Sequence, residues 1–190
     1  MQNHTALTEE QINVLTSQGC KAENWNNIRA ADGFDPYMIS NCLFKGKVNI
    51  GRNVYIHNIG SYIANYTIGD NAYIENVSLL ETSGESAFGN GVASVVVNEG
   101  GGREVPLLDN LTAQTAYIMA MYRHRSETTA KIAGMAQKYT NSVSSDTGIA
   151  GEGTRISDSG IIRNVKIGPG AVIEGATILS NGSINCTLQE

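Results

Sequence analysis

From Phe44 onward the chain carries a large apolar residue at every sixth position: Phe44, Ile50, Ile56, Tyr62, Ile68, Ile74 and Leu80. Two residues before each stand Cys42, Val48, Val54, Gly60, Tyr66, Ala72 and Ser78, which are mostly small or apolar. Side chains alternate across a strand, so a six-residue step with inward positions at i and i+2 predicts a short strand and then a turn. A helix does not repeat every six residues. The words NIGRNVYI (49–56) and TIGDNAYI (67–74) are near copies, and Ile50 and Ile68 stand three steps apart. Three steps make one turn of a triangular coil. Strands this short hold only when stacked on their like at about 4.8 Å, with a column of aliphatic side chains filling the prism. Ordinary short strands in a sandwich account less well for seven unbroken steps.

The six-step returns at Ile161, Ile167, Ile173 and Leu179, with small residues at Ala171 and Thr177. Ile149 and Ile156 fall outside that register, which predicts an irregular re-entry. Residues 81–148 interrupt the coil. There ASVVVN and REVPLL predict two strands of a hairpin around a run of three glycines. Leu111, Ile118, Met121 and Tyr122 predict one face of a helix capped by Asp109 or Asn110. Ile132, Met135 and Tyr139 predict a second helical stripe. Ahead of the coil, LTEEQI places Thr8 and Gln11 as a capping box, Leu7 and Ile12 as a staple, and Gly19 as the stop of a short helix. Trp25 and Phe34 are the expected anchors of the segment that follows. The organisation is therefore an N-terminal helix and cap (1–40), coils (41–80), a hairpin plus helical insertion (81–148) and further coils (149–190), all in one mainly β domain.

Composition narrows the partners. The chain is 41% apolar, 16% charged and carries a net charge of −5, which argues against nucleic acid and anionic membranes as partners. It has no apolar run of the roughly 20 residues that span a bilayer. The N-terminus lacks the basic start and apolar stretch of a secretory signal, so a cytoplasmic location is expected. Cys20, Cys42 and Cys186 are odd in number and widely spaced, and fit neither a disulfide framework nor a metal motif. His4, His57 and His124 are not spaced as a three-histidine metal centre.

The words at 50–56, 68–74 and 167–173 follow I-G-x-x-A/V-x-I and resemble the hexapeptide repeat of the left-handed β-helix transferases. That superfamily includes sugar and lipid acyltransferases and the C-terminal domains of some sugar nucleotidyltransferases. The left hand comes from this resemblance; periodicity does not give it. The segments LTEEQINVLTSQGCKAENW, GFDPYMISNCLFKGKVNIG and NEGGGREVPLLDNLTAQTAYIMAMYRHR look like the N-terminal part of an uncharacterised bacterial β-helix family whose members are longer. The expected fold is thus a single-stranded left-handed parallel β-helix, interrupted by a hairpin and helices. The resemblance further implies a homotrimer.

Three places are candidates for chemistry. His57 follows inward Ile56 and should point outward, where the resemblance implies a general base for a sugar hydroxyl or amine. In NEGGGREV, successive glycine amides can cradle an anion. Arg103 can clamp a phosphate or carboxylate there, while Asn98, Glu99 and Glu104 hold sugar hydroxyls. The same stretch also reads as a plain hairpin turn. Arg123, His124 and Arg125 either complement the end of a helix dipole or clamp the phosphates of coenzyme A or a sugar nucleotide. GEGTRI (151–156) imitates a nucleotide-binding loop but sits before coils, and reads as a turn. The leading expectation is acyl transfer to a sugar or sugar-nucleotide-like acceptor, with no bound cofactor and acyl-CoA as candidate co-substrate. The alternatives are a non-enzymatic β-helix for binding or assembly, and the accessory β-helix of a sugar nucleotidyltransferase.

Overall fold

The computed structural model describes residues 4–95 and 102–186. In chain order the elements are β1 (His4–Ala6), α1 (Glu9–Ser17), β2 (Lys21–Ala22), β3 (Ile28–Ala31), β4 (Ile39–Ser40), β5 (Leu43–Ile50), β6 (Tyr55–Ile68) and β7 (Tyr73–Glu81). Then come β8 (Ala93–Ser94), β9 (Val105–Pro106), α2 (Ala113–Met121) and α3 (Ser126–Val143), and finally β10 (Gly148–Ala150), β11 (Arg155–Ile167), β12 (Val172–Glu174) and β13 (Ile178–Ile184). The fold is mainly β, and nearly all strand pairs are parallel. The chain divides into two compact units, residues 1–86 with 146–190, and residues 87–145.

The first unit is β-helix-like, each strand pairing with the one a turn of coil later. Its interior is built of columns. Ile39, Ile56, Ile74, Ile156 and Ile173 stack in one register. Phe44, Ile63, Leu80, Ile162 and Leu179 form a second. Ala30, Ile50, Ile68, Ala150, Ile167 and Ile184 form a third. Most of these side chains are buried, and each fully buried isoleucine contributes about 2–3 kcal/mol of transfer free energy.

Turns between faces hold residues in the left-handed region. At one corner Asn41, Asn58, Asn76 and Asp158 have φ between 49° and 56°. Asparagine tolerates that conformation, which costs most L-residues about 1–2 kcal/mol. The side chains also bridge successive coils. Asn58 Nδ2 donates to Asn76 Oδ1 at 2.8 Å, and Asn76 Nδ2 to Asp158 Oδ1 at 2.9 Å. The glycine of the I-G word has a different cause. A Cβ on Gly69 would lie 2.6 Å from the backbone nitrogen of Glu152 in the next coil.

The six-step slips at two places. The six-step places Tyr62 inside, but Ile63 is the buried residue and Tyr62 faces out. An extra residue between Ile59 and Tyr62 shifts the pairing of β6 with β7, and the parity of the following strand flips with it. Likewise Ile162, not Ile161, is buried, because Ile156, Ile162 and Ile167 pair with residues 17 positions later instead of 18. Re-entry after the interruption is in register all the same. Gly148 to Ala150 continue the face of Tyr66 to Ile68, and Ile156 stacks on Ile74.

At the N-terminal side α1 has the expected capping box, with Thr8 Oγ1 accepting from Gln11 N at 3.2 Å and Gln11 Oε1 accepting from Thr8 N at 2.9 Å. Leu15 is fully buried, Phe34 is in the core and Trp25 packs against it.

In the second unit β8 and β9 form the expected antiparallel pair, Ala93 opposite Pro106. Thr112 caps α2, accepting from Thr115 N at 3.2 Å; Asp109 and Asn110 lie too far upstream. The face of α2 that packs is also not the expected one. Met119 and Ala120 are buried with Val105, and Leu111, Ala116 and Ile132 pack around them. Ile118, Met121 and Tyr122 are exposed.

Candidate functional site

Outward residues of the coil stack in columns as the inward ones do. Ser40, His57, Glu75, Ser157 and Glu174 occupy one register on five adjacent strands. Tyr55, Tyr73, Arg155 and Val172 form the neighbouring column on the same wall. The wall exists because strands of this coil alternate: Ile56 and Ile74 point in, so His57 and Glu75 point out.

Contacts within this wall are specific. Ser40 Oγ lies 2.7 Å from His57 Nδ1, and both residues are half-buried. The rings of Tyr55 and Tyr73 stack at 4.8 Å, and the Arg155 guanidinium covers the Tyr73 ring at 4.5 Å. Tyr73 donates its hydroxyl to Glu75 Oε2. That bond, with the adjacent carboxylate charge, raises the Tyr73 phenol above its ordinary value. An imidazole, a carboxylate, a hydroxyl and a guanidinium are thus held on neighbouring rungs. His57 Nδ1 is engaged by Ser40, and Nε2 has no hydrogen-bond partner among the described residues.

A second outward cluster lies on another wall. Lys45 Nζ sits 4.0 Å above the Tyr62 ring. Tyr62 donates to Glu81 Oε2 at 2.9 Å, while Arg163 Nε donates to Glu81 Oε1 at 2.5 Å. Accepting the Tyr62 hydroxyl, Glu81 raises that phenol too. Periodicity does not reveal this cluster, because Tyr62 shifts register and the pairing of Glu81 with Arg163 spans the whole interruption.

The remaining candidates are in the second unit. Asn98 and Glu99 lie outside the described residues. Arg103 is exposed. Gly102 N donates to Glu104 Oε1 at 2.7 Å, so the anion at this glycine amide is the chain's own carboxylate. That bond, helped by Arg123, lowers the Glu104 pKa. Arg123 Nη2 donates to the Glu104 carbonyl at 3.2 Å and lies 3.8 Å from its Oε2. The ring of His124 lies 5.7 Å from that of Tyr122, and Arg125 is exposed. Glu104 and Arg123 are therefore brought together, and each satisfies part of the other.

Similarity to known proteins extends over nearly the whole chain. The family described as "Domain of unknown function (DUF4954)" matches residues 4–53 and 48–190. The chain belongs to this family. An uncharacterised protein of Treponema pallidum (strain Nichols) is 25% identical to this DUF4954 chain over 224 residues, covering 97% of the chain and 31% of that relative. The chain thus spans about a third of the length of the curated relative it matches. Among solved structures, a point mutant of AntD, an N-acyltransferase from Bacillus cereus, in complex with dTDP and coenzyme A, aligns over 95% of this chain and 83% of its own. The identity is 13% and the TM-score 0.29. In the described residues of this DUF4954 chain no helix is long and apolar enough to cross a membrane.

Proposed function

We propose that the coil is the left-handed β-helix of the hexapeptide-repeat transferases, and that the chain transfers an acyl group to a hydroxyl or amine of a sugar or sugar nucleotide. The observation that carries this reading is the Ser40–His57 contact of 2.7 Å on the outer wall. With Nδ1–H donating to Ser40 Oγ, the lone pair of His57 rests on Nε2, where a general base needs it. His57 takes the proton of the attacking hydroxyl or amine as that group adds to the thioester carbonyl of acyl-CoA. The thiol then leaves, and the proton on His57 is available to it. Glu75, in register with His57 on the next strand, accepts the Tyr73 hydroxyl and offers its other oxygen to a donor of the acceptor substrate. Arg155, held over Tyr73, offers its remaining donors to a phosphate of either substrate. Side-by-side packing as a homotrimer would cover this wall with a neighbouring coil.

Thiol release from acetyl-CoA, measured against a panel of amino sugars and sugar nucleotides, tests the proposal. His57→Ala should reduce kcat/KM at least about 100-fold, the usual scale for losing a general base. Ser40→Ala should leave residual activity, because Ser40 orients the His57 ring without carrying the proton. Transfer that survives His57→Ala would place the base elsewhere. Absence of thiol release with every acceptor, together with no thermal stabilisation by acetyl-CoA, would favour the second reading, a non-enzymatic assembly module. That reading draws on the apolar surface of the second unit.

A further inference from the structure

Two of the three cysteines lie in the core of the first unit. Cys20 is 1% exposed and Cys42 3%, and both are thiols in this structure. Their separation along the chain carries no sign of contact, because β3 and β4 lie between them. Folding puts them side by side. β2 and β5 run parallel, with Lys21 opposite Leu43 and Ala22 opposite Phe44. The pairing continues further back along both segments. Lys21 N donates to the carbonyl of Cys42 at 2.9 Å, and Asn41 N to that of Gln18 at 3.1 Å. Cys20 and Cys42 are therefore cross-strand neighbours. Both belong to the same buried cluster, so both side chains leave the backbone on the inward side.

Adjacent strands stand about 4.8 Å apart, and cysteines joined by a disulfide have Cα atoms about 4.4–6.8 Å apart. The backbone thus already holds the two at the separation the bond requires. Their surroundings overlap as well. Cys20 Sγ donates to the carbonyl of Ile39 at 3.6 Å, three residues before Cys42. Burial raises the Cys20 thiol, and the Cys42 amide, bonded to its sulfur, opposes this in part. Burial also raises the Cys42 thiol, and the neighbouring Cys20 raises it further. Cys186 is several coils away, beside Gly168, and does not compete for either partner.

We propose that Cys20 and Cys42 form a reversible disulfide that clamps the N-terminal cap to the first coil. The oxidant is a low-molecular-weight disulfide of the glutathione class. As β2, only two residues long, lifts from β5, the thiolate of one cysteine attacks the oxidant. A mixed disulfide forms and one glutathione thiol leaves. When the strands pair again, the second cysteine attacks the protein sulfur and expels the other glutathione. Two protein thiols are oxidised, one glutathione disulfide is reduced to two thiols, and the cysteine protons pass to the released thiols. Burial keeps the closed, reduced form unreactive, so opening of β2 sets the rate. The bond is independent of acyl transfer.

The redox equilibrium of the full chain tests it. The chain is equilibrated in mixtures of reduced and oxidised glutathione, once refolded by dilution from urea and once in urea, then quenched in acid and alkylated. Peptide mass spectrometry counts the Cys20–Cys42 link. Its equilibrium constant should be at least about tenfold larger in the refolded chain than in urea, and the oxidised chain should unfold at a urea midpoint roughly 0.5–1 M higher. Cys186→Ser should keep both results, and Cys42→Ala should abolish them. Refolding exposes every thiol to the oxidant, so burial does not mask the outcome. A constant in the refolded chain equal to or below that in urea overturns the inference, as does a link through Cys186.

Discussion

Tyr66 is the largest side chain fully buried in the described core, and it sits in a column otherwise made of smaller residues. Its neighbour on the next coil is Gly148. A Cβ on Gly148 would lie 2.6 Å from the Tyr66 ring, so the glycine is the space the phenol occupies. Gly148→Val should therefore destabilise the coil by about 3 kcal/mol through overpacking, read as a lower urea midpoint at unchanged m-value. The hydroxyl of Tyr66 donates to the carbonyl of Val165, which is 99 residues further along the chain but adjacent in space. For single residues, then, periodicity marks Tyr66 as inward and says nothing of its partner. An 18-residue count cannot see that the glycine at 148 stacks on position 66, since the interruption lies between them.

Strands of the first unit are joined at corners, and the corners decide whether the step is five, six or seven residues. Asn76 has φ 52° and links two coils, accepting from Asn58 and donating to Asp158. Asn76→Ala should cost about 2 kcal/mol, combining the left-handed penalty with a broken side-chain ladder. Asn76→Gly should cost less, because glycine keeps the conformation and loses only the ladder. Thermal unfolding of the two variants side by side measures the difference. For the helices, Thr8 and Gln11 announce α1 correctly because a capping box is a local interaction. The packing face of α2 is misjudged because that helix is apolar on nearly every side, and periodicity has no contrast to work with.

For the whole molecule, four tyrosines share one electrostatic tendency. Tyr66 is raised by burial, and Tyr62, Tyr73 and Tyr139 by the hydrogen bonds they donate to Glu81, Glu75 and Asp109. In the unfolded chain these phenols lose their protons near pH 10, an order-of-magnitude reference of about 10 for tyrosine. Between that value and their higher folded values the native state binds more protons, so their contribution to stability is fully present below about pH 10 and falls as pH rises beyond it. Burial raises the Cys20 and Cys42 thiols as well, so the urea midpoint should begin to fall above about pH 8 and fall further by about pH 11 as the tyrosines join. Tyr66→Phe should flatten that limb, since one titrating tyrosine contributes up to about 1.4 kcal/mol per pH unit. Across the chain, the linear order of residues is enough to establish that 42–80 and 161–179 stack as repeated short strands, that 81–148 interrupts them, and that His57 faces outward. Those features rest on residue-to-residue periodicity, which survives in one dimension. Folding adds that Ser40 meets His57, that Glu75 and Arg155 join the same wall, and that Glu81 meets Arg163. Such contacts form between coils, where the spacing is set by each corner and by the length of the interruption, and neither can be counted from within a single repeat.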